Sequence, residues 1–210
     1  MTINLFLDSN ILLSLYAMSN ADVEEVKKLI NHIESGDIKL FICDQIVDEF
    51  GRNRDGKAME AFDRLKKADF KCEAPAFVKS MPSFLELQGI LKDANTKHYE
   101  IINEIEKKIH DHCLDADKVV ANLIKCAGVT PTTGDIFNSA HQRFLKGNPP
   151  GKKKSTIGDE INWEFLLASV TNKEDLHLIS ADGDYCSDVN SDMVSMFLEK
   201  EWKSRKGART

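Results

Sequence analysis

The sequence predicts an α/β fold in which a mainly parallel sheet is flanked by helices, and three observations carry that prediction. A short apolar strand at 3–8 is followed by helical patterns and then by a second apolar strand at 38–42. Strand, helix and strand at this spacing form a right-handed βαβ unit with parallel strands. A third apolar strand, 176–180, follows a long helical region and completes the predicted sheet.

The remaining elements follow from helical periodicity, capping residues and turn residues. Early helices are predicted at 9–17, from Asn20 or Asp22 to about 35, and from Asp44 to about 68 with Gly51 and Gly56 as candidate interruptions. Later helices are predicted at 135–145, 157–167 and 191–203, with irregular segments at 71–82 and 128–134 and a loop at 147–154. Between these groups, 83–127 is expected to form a helical hairpin or an inserted helical segment.

Size and composition agree with one large domain. The 210 residues are 42% hydrophobic, which is enough for a sizeable core. We therefore predict a single domain over 1–204, with the helical insertion at about 83–127 and a frayed tail at 205–210.

The location of the protein is predicted from its cysteines and its N-terminus. The five cysteines are scattered and include no Cys-x-x-Cys pair, which is typical of reduced thiols in a cytoplasmic protein. The N-terminus does not resemble a signal peptide, and no apolar run is long enough to span a bilayer, so no membrane partner is expected. The net charge of −6 gives no general sign of nucleic-acid binding, although basic residues are grouped in places.

Acidic residues recur at the ends of predicted strands and the starts of the helices that follow them. Asp8 ends the first strand, and Glu49 lies on the helix after the second strand. Asp159 opens a later helix, and Asp182 ends the late strand with Asp184 two residues on. In a parallel sheet these places share one edge. Carboxylates gathered there suit Mg²⁺ or Mn²⁺, and such a site suits phosphodiester hydrolysis.

Each acid also has a purely structural interpretation. Asp8 and Asp159 are suitable helix caps, and Glu49 suits an exposed helical position. Asp182 with the following glycine is typical of a plain turn. For any single residue the structural interpretation is the stronger one, but four acids in this order at these positions favour the functional one.

Four motifs together resemble the PIN-domain nuclease family. Leu5–Leu12 is similar to the family's opening motif, a hydrophobic strand ending in Asp and followed by Ser or Thr and often Asn. Val47–Phe50 resembles the position of the second acid, with Glu49 preferred to Asp48, and Gly158–Ile161 resembles the third. Ser180–Tyr185 resembles the Thr/Ser-x-Asp-x-Asp-Phe/Tyr pattern that carries the fourth.

The resemblance covers roughly 1–70 and 135–202. The Pro-Pro-Gly loop at 149–151, before the third acid, is further similar to a bacterial PIN-like subgroup of larger proteins. Compact toxin-type PIN domains are much shorter than this chain, and the helical stretch 83–127 has no counterpart in them.

The resemblance implies a three-layer PIN-like fold and metal-dependent hydrolysis of RNA, usually single-stranded, with Mg²⁺ or Mn²⁺ as the cofactor. It implies that Asp8, Asp159 and Asp182 bind the metal directly. Glu49 would bind the metal or orient the water, and Asp184 would serve a second, weaker ion site.

The same resemblance suggests supporting residues. Ser9 or Asn10 would hold Asp8 in place through hydrogen bonds. The candidates for phosphate contacts are the basic residues Lys152, Lys153, Lys154, Arg52, Arg54 and Arg143.

Three alternatives remain open from the sequence. One is a DNA or structure-specific nuclease that uses the same site, and another is a non-catalytic module that binds nucleic acid or protein. A haloacid-dehalogenase-like hydrolase also opens with a strand and an Asp, but that fold needs a second Asp where Asn10 stands. A homodimer and an inhibitory protein partner are further options that the sequence does not decide.

Overall fold

A four-stranded, entirely parallel sheet forms the centre of the computed structural model, which describes residues 2–151 and 156–210. The strands are β1 (Ile3–Leu7), β2 (Ile38–Cys43), β3 (Val129–Thr130) and β4 (Leu176–Ile179), and their order is β3-β2-β1-β4. Consecutive residues of β1 and β2 are buried because helices cover both faces of the sheet. The predicted α/β fold with a parallel sheet flanked by helices is confirmed.

Helices make up most of the rest of the described chain. The first group is α1 (Ser9–Ser14) with a 3₁₀ turn at Leu15–Ala17, α2 (Asn20–Glu34) and α3 (Asp44–Lys66). The middle group is α4 (Ala76–Lys79), α5 (Pro82–His110) and α6 (Asp115–Ala127). The last group is α7 (Gly134–Lys146), α8 (Gly158–Ser169) and α9 (Met196–Lys206).

Helix α8 is the most deeply buried of these helices. Trp163, Phe165 and Leu166 have no exposed surface, and even the polar Asn162 is fully buried. Polar side chains of α8, such as Glu164, are buried together with its apolar ones, so the helix lies inside the protein. Because α8 is held on all sides, its first turn, which carries Asp159, has a fixed position.

Only part of the predicted helical insertion, 83–127, lies outside the main core of the described residues. Val119, Val120 and Leu123 of α6 belong to the main core, and α6 packs against α2 and β2. The part of 83–127 that lies outside the main core is therefore α5, which packs on α3 through a smaller cluster that includes Phe62 and Ile102.

The structure also corrects several predicted boundaries. Helix α3 runs without a break through Gly51 and Gly56, and the irregular segment 71–82 contains α4. Residues 128–134 contain the two-residue strand β3, which is too short to produce a periodic signal. The last helix begins at Met196 rather than near 191.

The predicted frayed tail is wrong, because backbone and side-chain hydrogen bonds anchor it. The Lys206 ammonium group donates to the Val170 carbonyl oxygen in the protein interior. The Leu176 N–H donates to the Arg209 carbonyl oxygen at 3.0 Å, and the Arg209 N–H donates to the Asp175 carboxylate at 2.8 Å. The chain end is thus tied to the start of β4.

Two further features concern the whole chain. All five cysteines are free, as the scattered spacing predicted. In the parts of the chain that the structure describes, none of the helices is both long and apolar enough to cross a bilayer.

Arg54, which the sequence suggested as a phosphate contact, is buried in an ion pair instead. Its side chain is 1% exposed and donates to both Asp117 oxygens, at 2.9 and 2.6 Å. It also donates to the Ile109 carbonyl oxygen, while the Tyr16 hydroxyl donates to Asp117. Arg54 therefore joins α3 to α5 and α6 and is not available to a substrate.

Arg143 is buried in the same way, so its predicted role as a phosphate contact is also wrong. Its guanidinium group is 4% exposed and donates to Glu164 and Glu201, each at 2.6 Å. It also donates to the Pro149 carbonyl oxygen at 2.8 Å. Arg143 thus holds α7 against α8, α9 and the loop that follows α7.

We predict that Asp117→Asn destabilises the protein by about 3 kcal/mol at neutral pH, because it removes the buried counter-ion of Arg54 and leaves that buried charge only the exposed Asp55 as an acidic partner within the described residues. Burial opposes the charged carboxylate, but hydrogen bonds from Arg54 and Tyr16 outweigh burial and lower the pKa of Asp117. A carboxyl group with a lowered pKa stabilises the fold above its unfolded pKa of about 4, and this contribution is lost as the pH falls through the folded pKa. The difference from wild type should therefore shrink below about pH 4.

Urea denaturation over a pH series measures this difference. The matched control is Asp115→Asn on the same helix, whose carboxylate is 88% exposed and paired with Lys118. An exposed pair of this kind contributes little to stability because solvent screens it. Equal losses of stability in the two variants at pH 7 would contradict the assignment of a buried ion pair.

Candidate functional site

A cleft of about 360 Å³ opens where the carboxyl ends of the central strands meet the first turns of the following helices. Four acids line it: Asp8, Glu49, Asp159 and Asp182. They come from four separate segments of the chain, and the parallel sheet brings these segments to one edge.

Asp8 is held by three donors. It follows β1 and caps α1, where its Oδ1 accepts a hydrogen bond from the Ser9 N–H at 2.7 Å. Its Oδ2 accepts from the Ser180 hydroxyl at 2.6 Å and from the Asn10 amide at 3.0 Å. These hydrogen bonds fix the direction of both carboxylate oxygens. Burial adds to this restraint, because the residue is only 3% exposed.

The same hydrogen bonds tie the ends of β1 and β4 together. The Asp8 N–H donates to the Ile179 carbonyl oxygen at 3.0 Å, and the Ala181 N–H donates to the Asn10 side chain at 3.1 Å. The Ser180 hydroxyl oxygen in turn accepts from the Asp182 N–H at 3.0 Å. Asp8 and Asp182 thus lie beside each other through a network that both strand ends share.

The supporting residues predicted for Asp8 act in different ways. Asn10 contacts Asp8 with its side-chain amide, whereas Ser9 contacts it with its backbone N–H. Ser180 donates the shorter of the two side-chain hydrogen bonds to Asp8, and the sequence analysis gave it no role. The signal was present, because Ser180 occupies the hydroxyl position of the motif around Asp182.

Glu49 and Asp159 come from α3 and α8, whose first turns approach each other closely. A Cβ atom added to Gly158 would lie 2.6 Å from the Gln45 side-chain nitrogen and 3.9 Å from a Glu49 oxygen. The absence of a side chain at Gly158 therefore allows α8 to begin against α3. Asp159, the next residue, also lies at the helix N-terminus, where the backbone N–H groups favour a negative charge.

Tyr185 lies close to two of the acids. It is fully buried, its ring packs 6.5 Å from Phe6, and its hydroxyl donates to the Asp159 carbonyl oxygen at 3.5 Å. Burial raises the pKa of Tyr185 well above its usual value, and the charges of Asp8 and Asp159 raise it further. The phenol is therefore a neutral wall beside the cleft, a role that the sequence analysis did not assign.

The cleft offers carboxylate oxygens, the hard donors that Mg²⁺ and Mn²⁺ prefer. Over residues 2–151 and 156–210, no three Asp, Glu, His or Cys side chains are arranged as a closed metal-binding group. Like charges repel one another, so carboxylates that share a cleft without a cation are expected to stay apart. The donor set therefore fits a divalent cation by its chemistry.

Several predicted site residues lie elsewhere. Asp184 is 5% exposed and is not among the residues that line the cleft. Arg52 is exposed on α3 but outside the cleft lining, while Arg54 and Arg143 are in the buried ion pairs described above. The predicted phosphate contacts at Lys152–Lys154 lie outside the described residues.

Two polar side chains that the sequence analysis missed also line the cleft. Asn53 and Lys57 follow Glu49 at intervals of four residues on α3, and all three side chains lie on its cleft face. Residues four apart on a helix are surface neighbours, so this spacing was a usable signal. Lys57 supplies a cation, 51% exposed, at the wall of an acidic site.

Comparison with known proteins gives one match. A family model described as a PIN domain matches residues 5–185, most of the chain and all four acids of the cleft. No curated protein and no solved structure matches the chain significantly.

We predict that Ser180→Ala destabilises the protein by about 1–2 kcal/mol, because Asp8 loses a donor and the Asp182 N–H loses its acceptor. Ser180→Thr keeps the hydroxyl group and should retain most of the stability. Urea denaturation at neutral pH measures both variants.

The matched control is Ser187→Ala, because the Ser187 hydroxyl oxygen accepts a local hydrogen bond from the Val189 N–H, two residues on, at 3.2 Å. A loss of stability no greater for Ser180→Ala than for Ser187→Ala would show that the network does not hold the two strand ends together.

Proposed function

The chain belongs to the PIN domain family, a family of nucleases, and from that premise we propose that it is a metal-dependent endonuclease that hydrolyses single-stranded RNA. The observation that carries the proposal is that Asp8, Glu49, Asp159 and Asp182 line one cleft. Members of the family generally use divalent metal ions, and four carboxylates are a suitable ligand set for such an ion.

The proposed ligands of Mg²⁺ or Mn²⁺ are the four acids of the cleft. Asp184, predicted as an auxiliary ligand, is not included because its side chain is buried away from the cleft lining. When bound, the cation would lower the pKa of a coordinated water and stabilise the leaving oxygen.

The residues around the acids have separate tasks in this proposal. Asn10 and Ser180 fix the direction of the Asp8 carboxylate, which would otherwise rotate. Lys57 attracts the phosphate backbone and offsets part of the repulsion between an anionic substrate and four acids. Tyr185 keeps water out of the space behind Asp8 and Asp159 because its ring is fully buried there.

The proposal also covers the phosphate contacts and the cellular setting of the reaction. Arg52 is exposed on α3 and stays a proposed phosphate contact, as do Lys152–Lys154, which directly precede α8 in the chain. Five free cysteines agree with a reducing, cytoplasmic environment. An inhibitory protein partner or a homodimer stays a prediction from the sequence.

We predict that Asp182→Asn lowers the Mg²⁺- or Mn²⁺-dependent rate of RNA cleavage more than about 100-fold, because it removes a proposed metal ligand. Asp8→Asn should have the same effect, but its new amide hydrogens would face the donors around Asp8, so its folding must be measured as well. Cleavage of a fluorescent single-stranded RNA, with and without a chelator, measures the rates. Asp115→Asn, on the exposed face of α6, serves as the control and should cleave like the wild type.

Four results would change the proposal. Cleavage of DNA but not RNA by the wild type would refute the choice of substrate. Cleavage of RNA that persists in the presence of the chelator would refute the metal site. Cleavage by the Asp182→Asn variant at the wild-type rate would refute it as well. If neither nucleic acid is cut and metal titration does not distinguish wild type from Asp182→Asn, the chain is a non-catalytic binding module.

A further inference from the structure

The acidic cleft continues into a second groove of about 750 Å³. The two share Asn10, Leu13 and Lys57, so a ligand that leaves the cleft along α3 enters the groove directly. The groove runs between the α1 segment with its 3₁₀ turn on one side and the second half of α3 on the other.

We propose that this groove binds the nucleotides of a single-stranded RNA that lie beside the bond to be cut. This inference rests on the proposed nuclease function and adds a second subsite to it. The apolar wall takes a base or a sugar, and the cations along α3 take the backbone phosphates.

Lys57 and Arg64 have the spacing that binding of an RNA strand requires. Lys57 and Arg64 are seven residues apart on α3, which places them on one face and about 10.5 Å apart along the helix axis. At this separation, Lys57 and Arg64 contact different phosphate groups of one RNA strand. Lys57 lines both the cleft and the groove, whereas Arg64 lines the groove but not the cleft. The positively charged side chains therefore extend from the cleft into the groove, away from the four acids.

The charge balance of the groove also permits phosphate binding. Lys57 pairs with Glu60 at 2.7 Å, but both side chains are more than half exposed, and a pair of this kind is weak enough for a phosphate to displace. Arg64 is exposed, and no acidic side chain within the described residues forms an ion pair with it. Arg64 is therefore the stronger candidate for a phosphate contact.

The wall opposite these cations is preformed. Tyr16 stacks on Phe50 with 6.3 Å between ring centroids, and the Arg54 guanidinium lies 5.7 Å from the Tyr16 ring. Because its hydroxyl donates to Asp117 at 2.5 Å, the ring cannot swing into the groove or out of it. Leu13 and Met18 extend this wall with apolar surface. A groove that keeps its shape without ligand loses less entropy on binding.

Arg64→Ala tests the inference, because Arg64 lies outside the cleft lining. The substrates are one RNA of about four nucleotides, which fills little beyond the cleft, and one of about twelve, which also fills the groove. We expect the kcat/KM of the longer RNA to fall about fivefold, mainly through KM, and that of the shorter RNA to stay unchanged.

Binding tests the groove without requiring cleavage. Fluorescence anisotropy with the longer RNA in the absence of metal should show about fivefold weaker binding for Arg64→Ala. The slope of log affinity against log salt should become shallower by about 0.7, the value for one lost phosphate contact on a single strand. Glu60→Gln, which removes a negative charge from the groove, should bind the RNA about twice as tightly.

The chain offers a matched control in another groove of similar size. That groove, about 730 Å³ between α2 and α6, also contains exposed lysines and shares no lining residue with the cleft. Lys27→Ala in this groove should change neither the binding nor the cleavage of either RNA.

The outcomes separate this inference from the proposed function. If the wild type cleaves RNA but Arg64→Ala and Lys27→Ala behave alike, the groove is not a subsite and the nuclease function stands. If Arg64→Ala slows the short and long RNA equally, Arg64 acts on the cleft itself and the inference is wrong. If the wild type cleaves no RNA but binds it with the expected dependence on Arg64, the groove stands and the proposed catalytic function fails.

Discussion

The hydrogen bonds that join Asp8 to the end of β4 are the constraint on which the acidic cleft depends. β1 and β4 are far apart in sequence, and their pairing alone would leave the residues after each strand free to diverge. The Ser180 hydroxyl donates to Asp8 at 2.6 Å and accepts from the Asp182 N–H at 3.0 Å, so one side chain sets the relation between two acids. Asn10 adds a second link by contacting both Asp8 and the Ala181 N–H. The strand ends are thus fixed by polar contacts that the sheet itself does not supply.

The other two acids are positioned by packing. Asp159 stands at the start of α8, and the fully buried Trp163, Phe165 and Leu166 leave that helix a single place in the core. Gly158 then lets the helix begin within contact distance of the α3 residues Gln45 and Glu49. Hydrogen bonds thus position Asp8 and Asp182, whereas apolar packing positions Asp159 and Glu49. Because these restraints differ in kind, a substitution that weakens one of them leaves the other in place.

The sequence predicted the parallel sheet and the place of the four acids at one edge of it, because both depend on local pattern. Apolar strands, capping residues and the place of an acid after a strand can be read from a few neighbouring residues. The burial of Arg54 and Arg143 could not be read in this way, since their partners Asp117, Glu164 and Glu201 are distant in sequence. The C-terminal tail was misjudged for the same reason, because its polar composition does not show that Lys206 and Arg209 bond to the segment around β4.

The two buried arginines change where a polyanionic substrate can be held. A buried cation that is already paired with carboxylates adds little to the attraction of phosphate, so the useful positive charge must lie on exposed residues. Along α3 these alternate with buried ones: Arg54 turns inward to Asp117, whereas Lys57 and Arg64 face the open groove. The inward arginine still serves the groove, because the same Asp117 that pairs with it also anchors the Tyr16 ring in the opposite wall. Helix α3 thus displays the charge of the groove and, through the contact of Arg54 with Asp117 on α6, helps to fix the shape of the groove.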